Sequence, residues 1–280
     1  MGKIIALANN KGGVGKTTAS RELGAVWHEL GFKVLMLDCD EQCNLSASYN
    51  IDQHVGSAFD EEDEEREPAY PGIMDLLSGK KRFQDVVLEI EEGLDLIPGN
   101  PEISLLPTWK EGDPDIEKNT AMLLKMRKTI IGIDKLGIYD FIIIDTAPAT
   151  NLIMQLALTC SDLIIIPSTV DKYALDGIRN VFGYLYRWKS KNMSNAEIAG
   201  AILINCSDRY DVTKEFRRRF DDIKEKYSSE AFLYVCHSSV STSEVTYETG
   251  SVLTNKKPNK VSNDYKKIVG MIMRQWLLNK

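Results

Sequence analysis

Apolar residues in this chain gather in short unbroken runs, each followed by a longer stretch in which they recur every three or four positions. The runs are Ile4-Ile5-Ala6-Leu7-Ala8, Val34-Leu35-Met36-Leu37, Phe141-Ile142-Ile143-Ile144, Leu163-Ile164-Ile165-Ile166, 198–204 and Phe232-Leu233-Tyr234-Val235. Runs of this length without polar alternation predict strands buried on both faces, as in a parallel sheet. Leu94-Asp95-Leu96-Ile97, stopped by Pro98, predicts one more. Between them, Leu23, Val26, Trp27 and Leu30 predict one helix, and Met122, Leu123, Met126, Ile130 and Ile133 a second within 115–136. Helices are also predicted over 173–188 and 213–227, with a short one from Ile73 closed by Gly79. Tyr265, Ile268, Val269, Ile272 and Trp276 give a last helix its core-facing stripe. Such alternation predicts an α/β fold: a doubly wound, mostly parallel sheet flanked by helices, in a single domain spanning 1–280.

The pattern lapses at about 52–72. Asp60 to Glu67 sets seven acids against one arginine, and side chains that repel one another cannot bury a core, so an insertion loop is expected, with a partner-binding acidic patch as the alternative. This loop changes the meaning of the charge. The formal total is −7 over 280 residues; taking out the loop's −6 leaves about −1 for the rest, which excludes no polyanionic partner. Basic residues collect at Lys214, Arg217, Arg218 and Arg219, and again after Gly250, where Lys256, Lys257, Lys260, Lys266, Lys267, Arg274 and Lys280 oppose only Asp264. Arg217, Arg218, Arg219, Lys256, Lys257 and Lys260 are the candidate phosphate contacts; a solvated face is the alternative for the arginines, since Glu215, Asp221, Asp222 and Glu225 lie close by.

With 43% hydrophobic and 27% charged residues the composition is that of a soluble globular chain. The first strand starts within a few residues of Met1, leaving no room for a leader, and no run nears the ~20 apolar residues of a membrane span, so a cytoplasmic location is expected. Five cysteines without a Cys-x-x-Cys pair read as reduced packing thiols.

The chemistry begins directly after the first strand, at Asn9-Asn10-Lys11-Gly12-Gly13-Val14-Gly15-Lys16-Thr17-Thr18. A glycine-rich loop between a strand and a helix cradles phosphate: Gly12, Gly13 and Gly15 let backbone N–H groups converge on oxygens, and the helix adds its dipole. Lys16 then neutralises β- and γ-phosphate oxygens, and the Thr17 hydroxyl holds Mg²⁺. Two more strands end in carboxylates. Asp38-Cys39-Asp40 closes the second, and Asp145 closes the strand before Thr146-Ala147-Pro148. In open parallel sheets ligands sit beyond the carboxyl ends, so Asp40 and Asp145 face the same crevice as the loop, and Asp145 can hold Mg²⁺ directly or through water beside Thr17.

Lys11-Gly12-Gly13-Val14-Gly15-Lys16-Thr17-Thr18 departs from the plain phosphate loop in its second lysine and resembles the deviant Walker A box of the ParA/MinD family of ATPases. Asp38 to Asn44 resembles that family's first switch, with Glu41 where the family has proline, and Asp145-Thr146-Ala147-Pro148 its Walker B and second switch. The resemblance runs over nearly the whole chain and is nearest to ParA-type partition ATPases of the short class. It implies Mg-dependent, slow hydrolysis of ATP within an ATP-bound homodimer. Lys11 would reach the partner's nucleotide in trans and be catalytic with Lys16, while Asp40 would position water and help organise Mg²⁺. The nucleotide contacts would be Lys11, Gly12, Gly13, Val14, Gly15, Lys16, Thr17 and Thr18, with Asn205 and His237 beside adenine; a turn asparagine and a loop histidine are the alternatives for the last two. Asp171 to Gly177 resembles the family's segment at the dimer face. The partners implied are DNA bound without sequence preference and a ParB-like centromere-binding adaptor, with the protein associated with the nucleoid and driving plasmid or chromosome segregation. The relatives' arginines are missing from Ser238 to Glu244, so the DNA contact is expected in the basic carboxyl-terminal region. A MinD-like membrane-cycling ATPase is the alternative that Met271, Met273, Leu277 and Leu278 leave open. An iron–sulfur reductase of the nitrogenase-iron-protein type would need cysteines at a dimer axis, and that family's cluster motif is absent.

Overall fold

The computed structural model describes residues 2–53, 70–109, 112–171, 173–204, 206, 211–237 and 260–277. The acidic run over 60–67, Asn205, Lys256 and Lys257 lie outside the described residues. Strand β1 (Lys3–Leu7) leads to α1 (Lys16–Glu29), β2 (Val34–Cys39), α2 (Asn44–Ala47), α3 (Ile73–Ser78), α4 (Phe83–Val86), β3 (Leu88–Glu91) and β4 (Leu94–Ile97). After a 3-10 turn at Pro101–Leu105 come α5 (Ile116–Asp134), β5 (Phe141–Thr146), α6 (Leu152–Cys160), β6 (Leu163–Ser168) and α7 (Ala174–Ser190). The described elements close with β7 (Glu197–Leu203), α8 (Asp211–Lys226), β8 (Phe232–Val235) and α9 (Lys260–Ile272).

The strands form one sheet in the order β3-β4-β2-β5-β1-β6-β7-β8. Every neighbouring pair is parallel except β3 with β4. The helices between parallel strands cover both faces, which is the doubly wound α/β arrangement. Strand β3 was not predicted. Leu88-Glu89-Ile90-Glu91 is only half apolar, and its half-buried, exposed alternation suits an edge strand joined to β4 by a tight Glu92-Gly93 turn.

Residue parity along the unbroken strands decides which layer each side chain enters. Ile4, Ala6, Leu35, Leu37, Ile142 and Ile144 pack with α3, α5, α6, α7 and α8; Ile5, Leu7, Val34, Met36, Phe141 and Ile143 pack with α1 and α9. By the same alternation Asp38 and Asp145, at the carboxyl tips of β2 and β5, share the α1 side with Met36 and Ile143. They stand opposite one another in register. Helix α1 buries Leu23, Val26 and Trp27, with Trp27 stacked on Phe141 at 4.5 Å between ring centroids. Truncating such a buried indole costs about 3–5 kcal/mol, so the helix that carries Lys16 and Thr17 is firmly seated on the strand that carries Asp145. Leu30 departs from the predicted stripe: it follows the last turn and is 57% exposed. Helix α6 is buried along its whole length, and Asn151 caps it by accepting from the backbone N–H groups of Ile153 and Met154.

Candidate active site

The phosphate loop leaves β1 and turns back on itself before α1. Gly13 and Gly15 take φ values of 69° and 79°, in the left-handed region that only glycine enters without strain. Space also fixes Gly15, because a Cβ there would lie 2.8 Å from Ile204 Cδ1. The loop is tied down at its start: buried Asn9 donates through Nδ2 to the Pro167 carbonyl (2.8 Å) and accepts from the Lys11 N–H (3.1 Å). Helix α7 can approach this asparagine only at Gly177, where a Cβ would stand 2.7 Å from Asn9 Oδ1. Lys16 folds back over the loop and donates to the Lys11 carbonyl (3.1 Å). The result is a cavity of about 770 Å³ lined by the loop from Gly12 to Thr18 together with Arg21, Asp40, Gln42, Asn44, Pro148 and Ile204. That size suits a nucleotide.

Burial pushes the Lys16 ammonium pKa down, against the pull of Asp145, then Asp40 and Glu41. Phosphate would add further negative charge beside this buried lysine and favour its charged form. Asp145 is fully buried; burial and the neighbouring Asp38 push its carboxyl pKa up, while Thr17, Ser20 and Lys16 hold it down. Ser20 Oγ donates to Asp145 Oδ1 (3.0 Å), whereas Oδ2 is buried with no hydrogen-bond partner within 3.5 Å among the described residues. An orphaned carboxylate oxygen near the Thr17 hydroxyl fits Mg²⁺, whose remaining positions go to water and phosphate rather than to a protein cage.

The two acids of the β2 tip divide their labour. Asp38 faces inward: Oδ2 accepts from the Ser46 N–H (2.8 Å) and Oγ (2.6 Å), and Oδ1 from the Asp40 N–H (3.3 Å). Ser46 Oγ in turn accepts from the Gly99 N–H (3.0 Å). Burial raises the Asp38 carboxyl pKa to about 6, although the Ser46 bonds oppose it. Asp38 therefore anchors the segment that follows β2. Asp40 is the acid that lines the cavity, and its Oδ1 accepts from the Gln42 N–H (3.0 Å), giving a compact turn around Glu41. Sequence reasoning missed Ser20, Ser46 and Arg21. Arg21 lines the cavity and is clamped to Glu22 (3.0 Å), with both side chains nearly inaccessible. Only the i+4 spacing of Ser20 from Lys16 hinted that it faces the same way.

Lys11 behaves unlike Lys16. Its ammonium leaves the cradle and pairs with Asp171 in the segment after β6, and Thr169 Oγ1 donates to the same carboxylate. The Lys11 bond, ahead of the Thr169 bond, holds the Asp171 carboxyl pKa down at about 2. Both side chains remain about a third exposed.

At the far side of the sheet, His237 follows β8 and is not among the residues lining the cavity. Buried Asp264 of α9 accepts from the His237 N–H (2.9 Å), contacts its Nδ1 (2.8 Å) and accepts from the Tyr234 hydroxyl (2.9 Å). Of the candidate phosphate contacts, Lys260 opens α9 and is exposed. Arg218 and Arg219 pair with Glu215 (2.9 and 2.6 Å) on the exposed surface of α8. All five cysteines are buried free thiols. No described helix is long and apolar enough to cross a membrane, and Met271 and Met273 are partly buried against the α1–α9 layer.

Residues 2–199 match the AAA domain family. The chain is 27% identical over 225 residues to the chromosome partitioning protein ParA of Caulobacter vibrioides, covering 79% of this chain and 77% of that one. It is 29% identical over 232 residues to the sporulation initiation inhibitor protein Soj of Bacillus subtilis, covering 79% and 81%. Among solved structures, an ATP complex of Cyanothece McdA superposes with a TM-score of 0.76 at 17% identity, over 97% of this chain and 96% of that one.

Proposed function

The chain belongs to the AAA domain family as a P-loop ATPase of the ParA/MinD type, and from that premise we propose that it is a partition ATPase. It binds ATP with Mg²⁺, dimerises around the nucleotide, holds DNA without sequence preference and releases it on slow hydrolysis. The observation that carries the reading is the pairing of a left-handed glycine loop closed over buried Lys16 with the unpartnered Asp145 Oδ2 near Thr17. A polyphosphate satisfies the lysine and Mg²⁺ satisfies the carboxylate, and the two ligands arrive together.

Each residue then has a defined task. Backbone N–H groups from Gly12 to Thr18 orient the phosphates, and Lys16 neutralises charge on the β- and γ-oxygens. Thr17 and Asp145 would hold the metal, which draws charge from the transferring phosphoryl group. Asp40 orients the attacking water from the switch that Asp38 and Ser46 fix in place. Lys11 supplies a second cation from the partner subunit, as arginine fingers do elsewhere. His237, steadied by Asp264, backs the base, and Asn205 reads its edge. A ParB-like adaptor that binds centromere DNA stimulates turnover, and the protein works on the nucleoid. The membrane-cycling alternative has less support, since Met271 and Met273 already pack against the core.

Phosphate release from ATP, followed with Mg²⁺ and again with excess chelator, tests the chemical half. Turnover on the order of minutes that stops on chelation is expected; turnover indifferent to Mg²⁺ would overturn the site. Duplex co-sedimentation with ATP against ADP tests the other half, with retention in ATP alone expected.

A further inference from the structure

Helix α5 crosses the sheet between β4 and β5 with Leu123, Met126, Ile130 and Ile133 buried beneath it. Its outer side carries Lys118, Lys125, Lys128 and Lys135, all exposed. Between Lys118 and Lys135 the sole acid is Asp134, which is buried and accepts from the Gly2 N–H (2.8 Å). Lys118, Lys128 and Lys135 form no ion pair among the described residues, and Lys125 donates to the Ser78 carbonyl (2.8 Å) at the end of α3. That bond brings α5 next to Lys80 and Lys81, which are exposed and likewise without an ion pair among the described residues. Arg127, Lys128 and Lys135 also line a shallow depression of about 380 Å³ with Leu124 and Ile131. Arg127 is anchored there through Nε to the Thr159 carbonyl (2.9 Å).

The contrast with α8 is chemical. There Lys214 pairs with Asp211 (2.8 Å), Arg218 with Glu215 and Asp222, and Arg219 with Glu215. A cation already paired on its own helix must break that pair to meet a phosphate. Lys118, Lys128 and Lys135 have no such pair to break among the described residues, and Lys125 gives up only its bond to the Ser78 carbonyl. From Lys118 to Lys135 is about 25 Å at 1.5 Å per residue, or about seven base-pair steps of a duplex. We infer that the outer face of α5, with the Lys80-Lys81 turn beside it, is the surface that contacts the phosphate backbone of duplex DNA. This rests on the DNA-binding reading above and favours α5 over α8 as a phosphate contact. No base-reading group is needed, so binding is sequence-independent and steeply salt-dependent.

The test uses the full chain with ATP and Mg²⁺ and a fluorescent duplex of arbitrary sequence, titrated from about 50 to about 200 mM salt, where counterion release governs affinity. The triple variant K125Q/K128Q/K135Q is expected to flatten the log–log slope by about two to three per subunit. R217Q/R218Q/R219Q should flatten it by less than about one. K125R/K128R/K135R should keep both slope and affinity, and unchanged ATP affinity and melting temperature report the fold of each variant. If the unmodified chain binds the duplex and the α5 variant matches it in slope and affinity, the inference falls and the DNA-binding reading stands. If the unmodified chain binds no duplex at the lowest salt, both fall. Loss of binding to phosphatidylglycerol vesicles in the α5 variant, with duplex affinity intact, would assign the face to lipid and overturn the inference.

Discussion

Lys16 and Lys11 stand at the two ends of one loop, and the chain treats them differently. Lys16 is 6% exposed, bonded to its own loop and surrounded by acids from β2 and β5. Lys11 lies about a third exposed and is parked on Asp171, beyond the cradle. The Lys16 end is finished within one subunit: the helix dipole, the αL glycines, Thr17 and the buried Asp145 need only a nucleotide and a metal. The Lys11 end is held by an exposed ion pair, an interaction worth about 0–1 kcal/mol. It can be exchanged for a stronger partner. On the proposed function, Lys16 would serve binding and Lys11 a contact that comes and goes.

The strongest break of this comparison is Lys16→Ala. Removing the buried cation should abolish measurable nucleotide affinity in calorimetry and reduce turnover by about 10²-fold or more; retained binding would mean the backbone cradle suffices alone. Lys11→Ala should spare nucleotide binding: ATP affinity stays within about 1 kcal/mol of the unmodified protein, while hydrolysis is lost and ATP-dependent dimerisation weakens. Normal turnover in that variant would remove the catalytic role of Lys11. Asp40→Ala comes next. Loss of the water-orienting acid spares the phosphate contacts, so light scattering with ATP should show a persistent dimer that turns over slowly. A monomer, at concentrations where the unmodified protein dimerises, would make Asp40 structural. The smallest effect belongs to Asp171→Asn. Because the pair is partly exposed, stability should shift by less than about 1 kcal/mol, and a freed Lys11 should tighten the ATP dimer by at most about fivefold. Weaker dimerisation would show that Asp171 also serves the assembled state.

Much of the core was legible because the apolar runs are long and unbroken, which fixes a two-faced sheet, and because strand tips must carry the site in such a sheet. Gly12 to Thr18 and Asp40 were readable on that basis and line one crevice, while Asp145 stands fully buried in register with Asp38 and is not among the lining residues. What was hidden depended on partners far away in sequence. The roles of Asp38 and Ser46 arise from a bond spanning eight residues that no spacing rule announces, and that of Asp171 from one spanning 160. The edge strand β3 was missed because half of its residues are acidic, and the pattern sought buried runs. For α5 the apolar stripe was read and its charged outer face was passed over; lysines look alike in sequence whether or not a nearby acid neutralises them. The arginines of α8 show the same limit from the other side, since their i,i+3 and i,i+4 acids are visible but their pairing is a matter of geometry.

The central claim is that Lys11 completes the site of the other subunit, and mixing two inactive variants tests it most directly. Lys11→Ala and Asp40→Ala should each turn over ATP poorly alone. In a mixed dimer the Lys11→Ala subunit keeps its own Asp40 and receives Lys11 from its partner, so one site is whole. Equal mixing with ATP and Mg²⁺ should recover up to about a quarter of the unmodified rate, since half the dimers are mixed and each has one working site of two. If the mixture never exceeds the sum of the separate variants while mixed dimers demonstrably form, Lys11 acts within its own subunit and the account is contradicted.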